Sequence, residues 1–399
     1  MKLKPDTFSY TVFLSMSVAL GALSTDMYLP SLPAMQEAFS ASVDEVQWTL
    51  SAFMIGIAAF QLVVGPISDR FGRKKTLFVG LAVFILASYG CMYANNVVEM
   101  TFYRIIQSFG VCTGVVVPRA MVRDLFELKD SAKQLSRIGT IMAVAPAIAP
   151  VFGGYIATYY GWQGIFFFLG TYGALVAIIL LVSIDESLDD HHKSSLRLRN
   201  IISNYADLLK SREYLGYVLT ASFCFAGFFT YISSSSFVLI TVYELPVDRF
   251  GYYFGSVVIG FMTGTLIGPK VTQLSTLRFS LQVGVFVSLF GGSLLLVLFL
   301  NGYGSPVMLV VPMIFYNIGV GMVMPQCQAG AMHPFPEKAG AASALSGFII
   351  LGVAGLMGAL AGNLFNGTEI PMVIIVFVMA IVTFVFFHMT IFRNPGSIR

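Results

Sequence analysis

The sequence predicts an all-α integral membrane protein, with twelve transmembrane helices in two pseudo-symmetric six-helix bundles. Three observations carry that expectation. The 399 residues are 57% hydrophobic and only 11% charged, where soluble domains carry about 25%, and the mean hydropathy is +0.81. Apolar runs near the length of a bilayer-spanning helix recur along the whole chain. Lys and Arg collect in alternate loops. Long apolar runs cross lipid only as helices or closed barrels, because their backbone groups must be paired internally, and helices suit runs of this length.

The first run, 9–32, follows Met1-Lys2-Leu3-Lys4 and superficially looks like a secretory signal. It continues too far, carries Asp26, and ends in Leu29-Pro30-Ser31-Leu32-Pro33 rather than at a small-residue cleavage site. It reads as a retained span. The next runs fall at 48–68, 75–94, 98–121, 137–159 and 163–184. After a polar interruption the second set falls at 214–236, 250–271, 278–300, 306–331, 341–363 and 370–392. Six spans therefore precede the interruption and six follow it. The bundles are expected at 1–186 and 214–399, joined by a cytoplasmic linker, 187–213, whose charge-rich amphipathic segment suits the inner leaflet. His191 and His192 in that linker read as solvated loop residues, since no further ligands accompany them. Cys91, Cys112, Cys224 and Cys327 all lie in apolar runs, and packing is their expected role.

The halves echo one another. Gly65-Pro66, at the end of the second span, recurs as Gly268-Pro269 at the end of the eighth, and the same offset sets Lys75 on Arg278. Gly153 and Gly154 of the fifth span correspond in depth to Gly352, Gly355, Gly358 and Gly362 of the eleventh. Parallel repeats about an axis along the membrane normal produce such echoes. With the N-terminus in the cytoplasm, 21 of the 23 Lys and Arg fall on the cytoplasmic side, the exceptions being Arg249 and Arg104. That bias sets both termini inside.

Two ionisable groups stand within the spans of the first half. Asp26 is either a helix-end acid in water beside Pro30 or a carboxyl that takes and releases a proton. A buried carboxylate costs several kcal/mol unless it is protonated or paired, which favours the second reading. Arg104, in the fourth span at a similar depth, cannot deprotonate, so it pairs, faces water or snorkels outward. Asp26 is its expected partner, with Gln107 one turn away on the same polar path. Between spans two and three, Gly65 to Lys75 forms a tight charged turn containing Asp69, Arg70, Gly72 and Arg73. Asp69 is expected to meet Arg123 or the N-terminal end of a neighbouring helix such as span eleven. The second half has no embedded carboxylate, so coupling belongs to the first. Tyr28, Phe53, Met54, Gln107, Phe223, Tyr231, Ser234 and Asn317 are candidate cavity residues, and Tyr316, Gln326 and Gln328 are further polar groups that the second half offers, although aromatics and serines in spans also pack against lipid or other helices.

The turn Gly65-Pro66-Ile67-Ser68-Asp69-Arg70-Phe71-Gly72-Arg73-Lys74-Lys75 resembles the signature loop of the major facilitator superfamily. Ser24-Thr25-Asp26-Met27-Tyr28-Leu29-Pro30-Ser31-Leu32-Pro33 resembles the first-span motif of its twelve-span drug:proton antiporters. Arg104-Ile105-Ile106-Gln107-Ser108-Phe109-Gly110 is similar to their fourth-span motif, with Ser108 replacing a glycine. The fifth span, with Pro146, Pro150, Gly153 and Gly154, is similar to the exporter motif, with Ala149-Pro150 where Gly-Pro is usual. Together with Val122-Arg123-Asp124, the pattern looks most like the Bcr/CflA branch, the bicyclomycin and phenicol efflux proteins. The resemblance implies a major facilitator fold and proton-coupled export of small, mostly apolar compounds across the bacterial cytoplasmic membrane by a monomer. It implies that Asp26 carries the proton, that Arg104 modulates it, and that Gly65, Asp69, Arg70, Gly72, Arg73 and Arg123 form a conformational latch between the halves. Export of an endogenous metabolite such as an amino acid or sugar is the alternative.

Other classes fit less well. A channel wants a repeated ring of filter residues, and none is visible. An intramembrane enzyme or metal site wants clustered His, Asp or Glu, whereas His388 stands alone. No phosphate-cradling glycine loop occurs, so nucleotide drive is not expected; the resemblance implies the proton gradient as driving force, with no cofactor. The expected partners are a small molecule, H+ and the bilayer, with no nucleic acid.

Overall fold

The computed structural model describes residues 3–5, 7–188 and 198–392. All the regular structure among them is helical. The helices are α1 (Phe8–Asp26), α2 (Leu32–Phe39), α3 (Val43–Phe71), α4 (Arg73–Met92), α5 (Val97–Leu125) and α6 (Leu128–Ser183). There follow α7 (Leu198–Lys210), α8 (Arg212–Ser236), α9 (Val247–Leu274), α10 (Leu277–Leu300), α11 (Pro306–Met332), α12 (Ala339–Asn363) and α13 (Ile370–Phe387). Residues 189–197, with His191 and His192 of the expected linker, lie outside the described residues.

Several helices overrun the apolar runs because polar residues start them. Ser42 and Glu45 form a reciprocal cap on α3, satisfying amides that the helix leaves unpaired, with Asp44 and Glu45 in its first turn. The Asn96 side chain accepts from the Glu99 amide at 2.8 Å to open α5. Thr276 and Ser305 do the same for α10 and α11. Prolines act in the opposite sense: α1 stops at Asp26, and Pro30 sits in a short 3-10 turn, Leu29–Ser31, before α2.

Eleven helices among the described residues are long and apolar enough to span a membrane. The expected number was twelve, and α6 accounts for the difference. It contains a break at Gly161 (φ 70°, ψ 178°), a backbone region that residues with a Cβ rarely adopt. The expected spans at 137–159 and 163–184 are its two limbs, turned at that one residue.

In the first half α5 packs against α1, α3 and α4; in the second, α11 packs against α8, α9 and α10. The groups correspond position by position. Contact between the groups is dominated by two pairs, α3 with α12 and α6 with α9. Under the repeat these are one contact made twice, the second span of one half meeting the fifth span of the other. Amphipathic α7 lies beside α8 and α12.

Candidate functional site

A cavity of about 530 Å³ opens between the two groups of helices, at the end carrying the basic loops. Its walls come from α3 (Gln61, Gly65, Asp69), α5 (Arg119, Arg123), α7 (Asn204, Tyr205) and α12 (Ser343, Gly347). The opposite end is shut. A Cβ on Gly154 of α6 would stand 2.8 Å from the carbonyl of Val247 at the start of α9, and one on Gly255 2.9 Å from that of Ala147. Close backbone approach therefore requires glycine here. Gly153 lies against the Met27 carbonyl and Gly251 against Val151, next to Pro150. The Tyr155 and Tyr252 hydroxyls meet at 2.9 Å across the same seam. Pro146 and Pro150 lie inside the first limb of α6. The glycines and prolines of the exporter-like motif thus sit at or beside the α6–α9 seam.

At the basic end the turn residues build one ionic cluster. The Arg73 side chain, 8% exposed, donates from Nε to Asp124 at 2.8 Å, from a terminal nitrogen to Ser68 Oγ at 2.6 Å, and pairs with Asp69 four residues back across Gly72. Gly72 (φ 100°) turns the chain between α3 and α4. The Glu186 carboxylate accepts from the Arg73 amide at 2.8 Å and from that of Lys74, an anion on the helix N-terminus where four amides lack partners. Lys74 in turn donates to the carbonyl of Ile184 at 2.5 Å. Two expectations need correction. Asp69 pairs with Arg73 rather than with Arg123 or span eleven, because the reversal at Gly72 folds the start of α4 back onto the end of α3. The pairs of the Arg73 cluster also join α3, α4 and α5 of the first half, and among the described residues none of them reaches the second half. Arg123 faces the cavity, and exposed Arg70 lies over the Phe71 ring at 5.6 Å. Asp124 and Glu186 were absent from the expected latch.

Asp26 ends α1 at 5% exposure, with no hydrogen bond or ion pair among the described residues. Arg104 is fully buried and does not pair with it. The guanidinium donates to the carbonyl of Ser24 at 3.0 Å and to Gln107 Oε1 at 2.7 Å, and lies over the rings of Phe53 (3.8 Å) and Tyr28 (4.6 Å). Gln107 passes the network to Ser88 Oγ at 2.8 Å. Nε and one terminal nitrogen of Arg104 keep no partner. The cation is thus balanced by ring faces and a backbone carbonyl two residues from Asp26.

None of the eight candidate cavity residues lines the open cavity. Tyr28, Phe53 and Gln107 hold Arg104, and Met54 is 7% exposed in the core. Phe223 packs edge-on against Phe386 near the end of α13. Tyr231 stacks on Phe254 of α9, Asn317 donates to Met313 of its own helix at 3.0 Å, and Ser234 is buried within α8. The cavity is walled instead by residues lying nearer the basic end, Gln61 and Gln328 among them.

The linker helix α7 reaches both halves. The Tyr205 hydroxyl donates to the carbonyl of Leu62 on α3 at 2.9 Å. Pro66, four residues on, has no N–H for that carbonyl, so the tyrosine fills a place the helix leaves open. Asp207 pairs with Lys338, just before α12, at 2.9 Å. That hydrogen bond, and then the Lys338 charge, hold the Asp207 carboxyl below its ordinary range.

Two repeat-related groups of membrane helices, closed at one end of their seam and open to a drug-sized cavity at the other, define a two-bundle membrane carrier. The chain belongs to the Major Facilitator Superfamily, whose family model matches residues 14–359. It is 30% identical, over 100% of both chains, to a bicyclomycin resistance protein homolog of Haemophilus influenzae. It is 27% identical to a chloramphenicol resistance protein of Pseudomonas aeruginosa, over 85% of this chain and 80% of the other. Among solved structures, a bacterial homolog of the human lysosomal transporter Spinster, inward-facing and occupied, superposes with a TM-score of 0.77 at 16% identity, covering 99% of this chain and 100% of that one. The protein is therefore a multi-pass membrane transporter, and the resemblance to the Bcr/CflA branch agrees with these relatives.

Proposed function

We propose that the protein exports small, mostly apolar compounds of the antibiotic type from the bacterial cytoplasm in exchange for protons, by alternating access. The observation that carries this reading is the cavity: about 530 Å³, within the range that encloses one drug-sized molecule, and lined by residues of the basic end. The positive-inside bias makes that end cytoplasmic and sets both termini there. The names of the two resistance relatives agree with export. Asp26 is the proton carrier, a buried carboxyl with no fixed counter-charge. Arg104, bound to the Ser24 carbonyl, moves with the end of α1 and so responds to the state of Asp26. The two bundles, 1–186 and 214–399, rock about the α3–α12 and α6–α9 seams. The Asp69–Arg73–Asp124 cluster keeps the first bundle rigid at its basic end during that motion. The driving force is the proton gradient with no bound cofactor, and the working unit is a monomer.

The test uses everted vesicles with an acid interior and a pH-sensitive dye, challenged with phenicols, bicyclomycin and lipophilic cations. Dequenching on adding one compound, lost in Asp26→Asn, is the expected result. Dequenching unchanged in the variant would move proton coupling away from Asp26. Silence across the panel with folded protein would replace drug export by export of an endogenous metabolite.

A further inference from the structure

The wall of the open cavity continues into the shut half of the molecule. On α3, Gln61 and Gly65 line the cavity, and the same face runs on through Ile55 and Ser51 to Gln47 near the far end. On α12, Gly347 lines the cavity opposite Gln61, and its face runs on through Gly355 and Gly358 to Gly362. The two stripes are pressed together: a Cβ on Gly358 would lie 3.0 Å from Ser51 Oγ, and one on Gly362 3.0 Å from Gln47 Oε1. Ser51 and Gln47 are fully buried there. Among the described residues neither the Ser51 hydroxyl nor either end of the Gln47 amide has a hydrogen-bond partner. A buried polar group with no partner carries a desolvation penalty of about 1–3 kcal/mol. An apolar pair at these positions would close the seam at less cost, so closure alone does not explain the polar groups.

We propose that Gln47 and Ser51 form a substrate subsite of the outward-open state, facing Gly358 and Gly362. This rests on the export reading above and narrows its substrate. An amide and a hydroxyl each donate and accept and carry no charge. They complement an uncharged compound presenting an amide or paired hydroxyls, and Gly362, with the Phe229 ring against Gly358, gives it a facing apolar surface once the seam parts. In the inward-open state the subsite is shut, and its polar groups are satisfied only when the far end opens on substrate or solvent.

The test measures counterflow of chloramphenicol, an amide-bearing probe, from the outer face into right-side-out proteoliposomes preloaded with it, so that loading occurs in the outward-open state, with Gln47→Leu, which keeps the volume and removes the amide. The expected result is a KM raised about tenfold, the loss of one or two hydrogen bonds, with Vmax within twofold of wild type. Ser51→Ala is expected to give a smaller rise in the same sense. An unchanged KM, or a fall in Vmax with KM unmoved, would overturn the subsite and leave these residues a role in gating alone. In parallel, Gln47→Cys is exposed to a membrane-impermeant thiol reagent from the outer face of energised right-side-out vesicles, the four native cysteines being buried. Labelling supports the proposal; its absence overturns it. Should wild type move no chloramphenicol, the export reading fails for that compound, and the labelling still decides whether this face opens outward.

Discussion

The hydroxyl of Tyr205 and the ring of Pro66 form a thermodynamic pair that a double-mutant cycle can isolate. In the native protein the Leu62 carbonyl has no amide at position 66 to accept from, and Tyr205 supplies the donor at 2.9 Å. Tyr205→Phe removes that donor and leaves a half-buried carbonyl unpaired. The expected cost is about 1–2 kcal/mol, a five- to thirtyfold loss in the docking of α7. Pro66→Ala restores an N–H at that position, and the helix then satisfies its own carbonyl. In that background Tyr205→Phe should cost less than about 0.5 kcal/mol, so the coupling is about 1 kcal/mol. Hydrogen exchange of the α7 amides, in purified protein in lipid nanodiscs, measures docking directly. Equal losses of protection in both backgrounds would refute the pairing and leave α7 held by Asp207–Lys338 and by burial of Leu208. No loss in either would show that the tyrosine hydroxyl does not restrain the helix.

Arg73→Ala should lower stability by about 2–3 kcal/mol, chiefly through loss of the Asp124 and Ser68 bonds. The Asp69 arm is discounted because that carboxylate is 42% exposed. Arg73→Lys should recover less than half of this, because an ammonium cannot fork between the partners; thermal unfolding in detergent reports both, and equal melting of Lys and Arg proteins would sink the argument. Gly154→Leu should hold the α6–α9 seam apart, since even a Cβ meets the Val247 carbonyl, and transport should fall more than tenfold in a protein that still purifies as a monodisperse species. Wild-type transport by that variant would show that the seam yields. For Asp207 the carboxyl is depressed in the folded protein, so its contribution is present above the unfolded pKa of about 3.9 and disappears as pH falls through the folded value. Exchange protection of α7, corrected for intrinsic rates, should be flat from about pH 8 to 5 and fall below about pH 4, and Asp207→Asn should remove the step.

Span number and the position of the polar break were readable because both follow from apolar run length. The glycines Gly153, Gly154, Gly355, Gly358 and Gly362 were readable as an echo between the halves, but not as the places where the two groups of helices meet. What could not be read was which groups meet. Asp69 and Arg73 are four residues apart on either side of Gly72, and their pairing depends on the angle of that turn. Asp26 and Arg104 drew attention as the ionisable groups of the first-half spans, yet Arg104 settles between two rings and a carbonyl that any sequence would supply. The candidate cavity residues are chiefly aromatic and polar side chains of the spans, and residue type says nothing about which end of the seam is open. Gln47 and Ser51 had a signal that was passed over, two polar residues one turn apart at the start of an apolar run.

The reversal at Gly161 leaves no slack between the limbs of α6. The first limb presses Gly154 against Val247 at the far seam. The second runs the width of the molecule to Ile184 and Glu186, whose oxygens hold Lys74 and the first amides of α4. A loop of several residues would let the limbs slide past one another. A single residue fixed at φ 70° makes them a stiff hairpin. Whatever parts the far seam must therefore tug on the charged turn at the other face within one length of chain, much as a rocker arm carries a push at one end into a lift at the other.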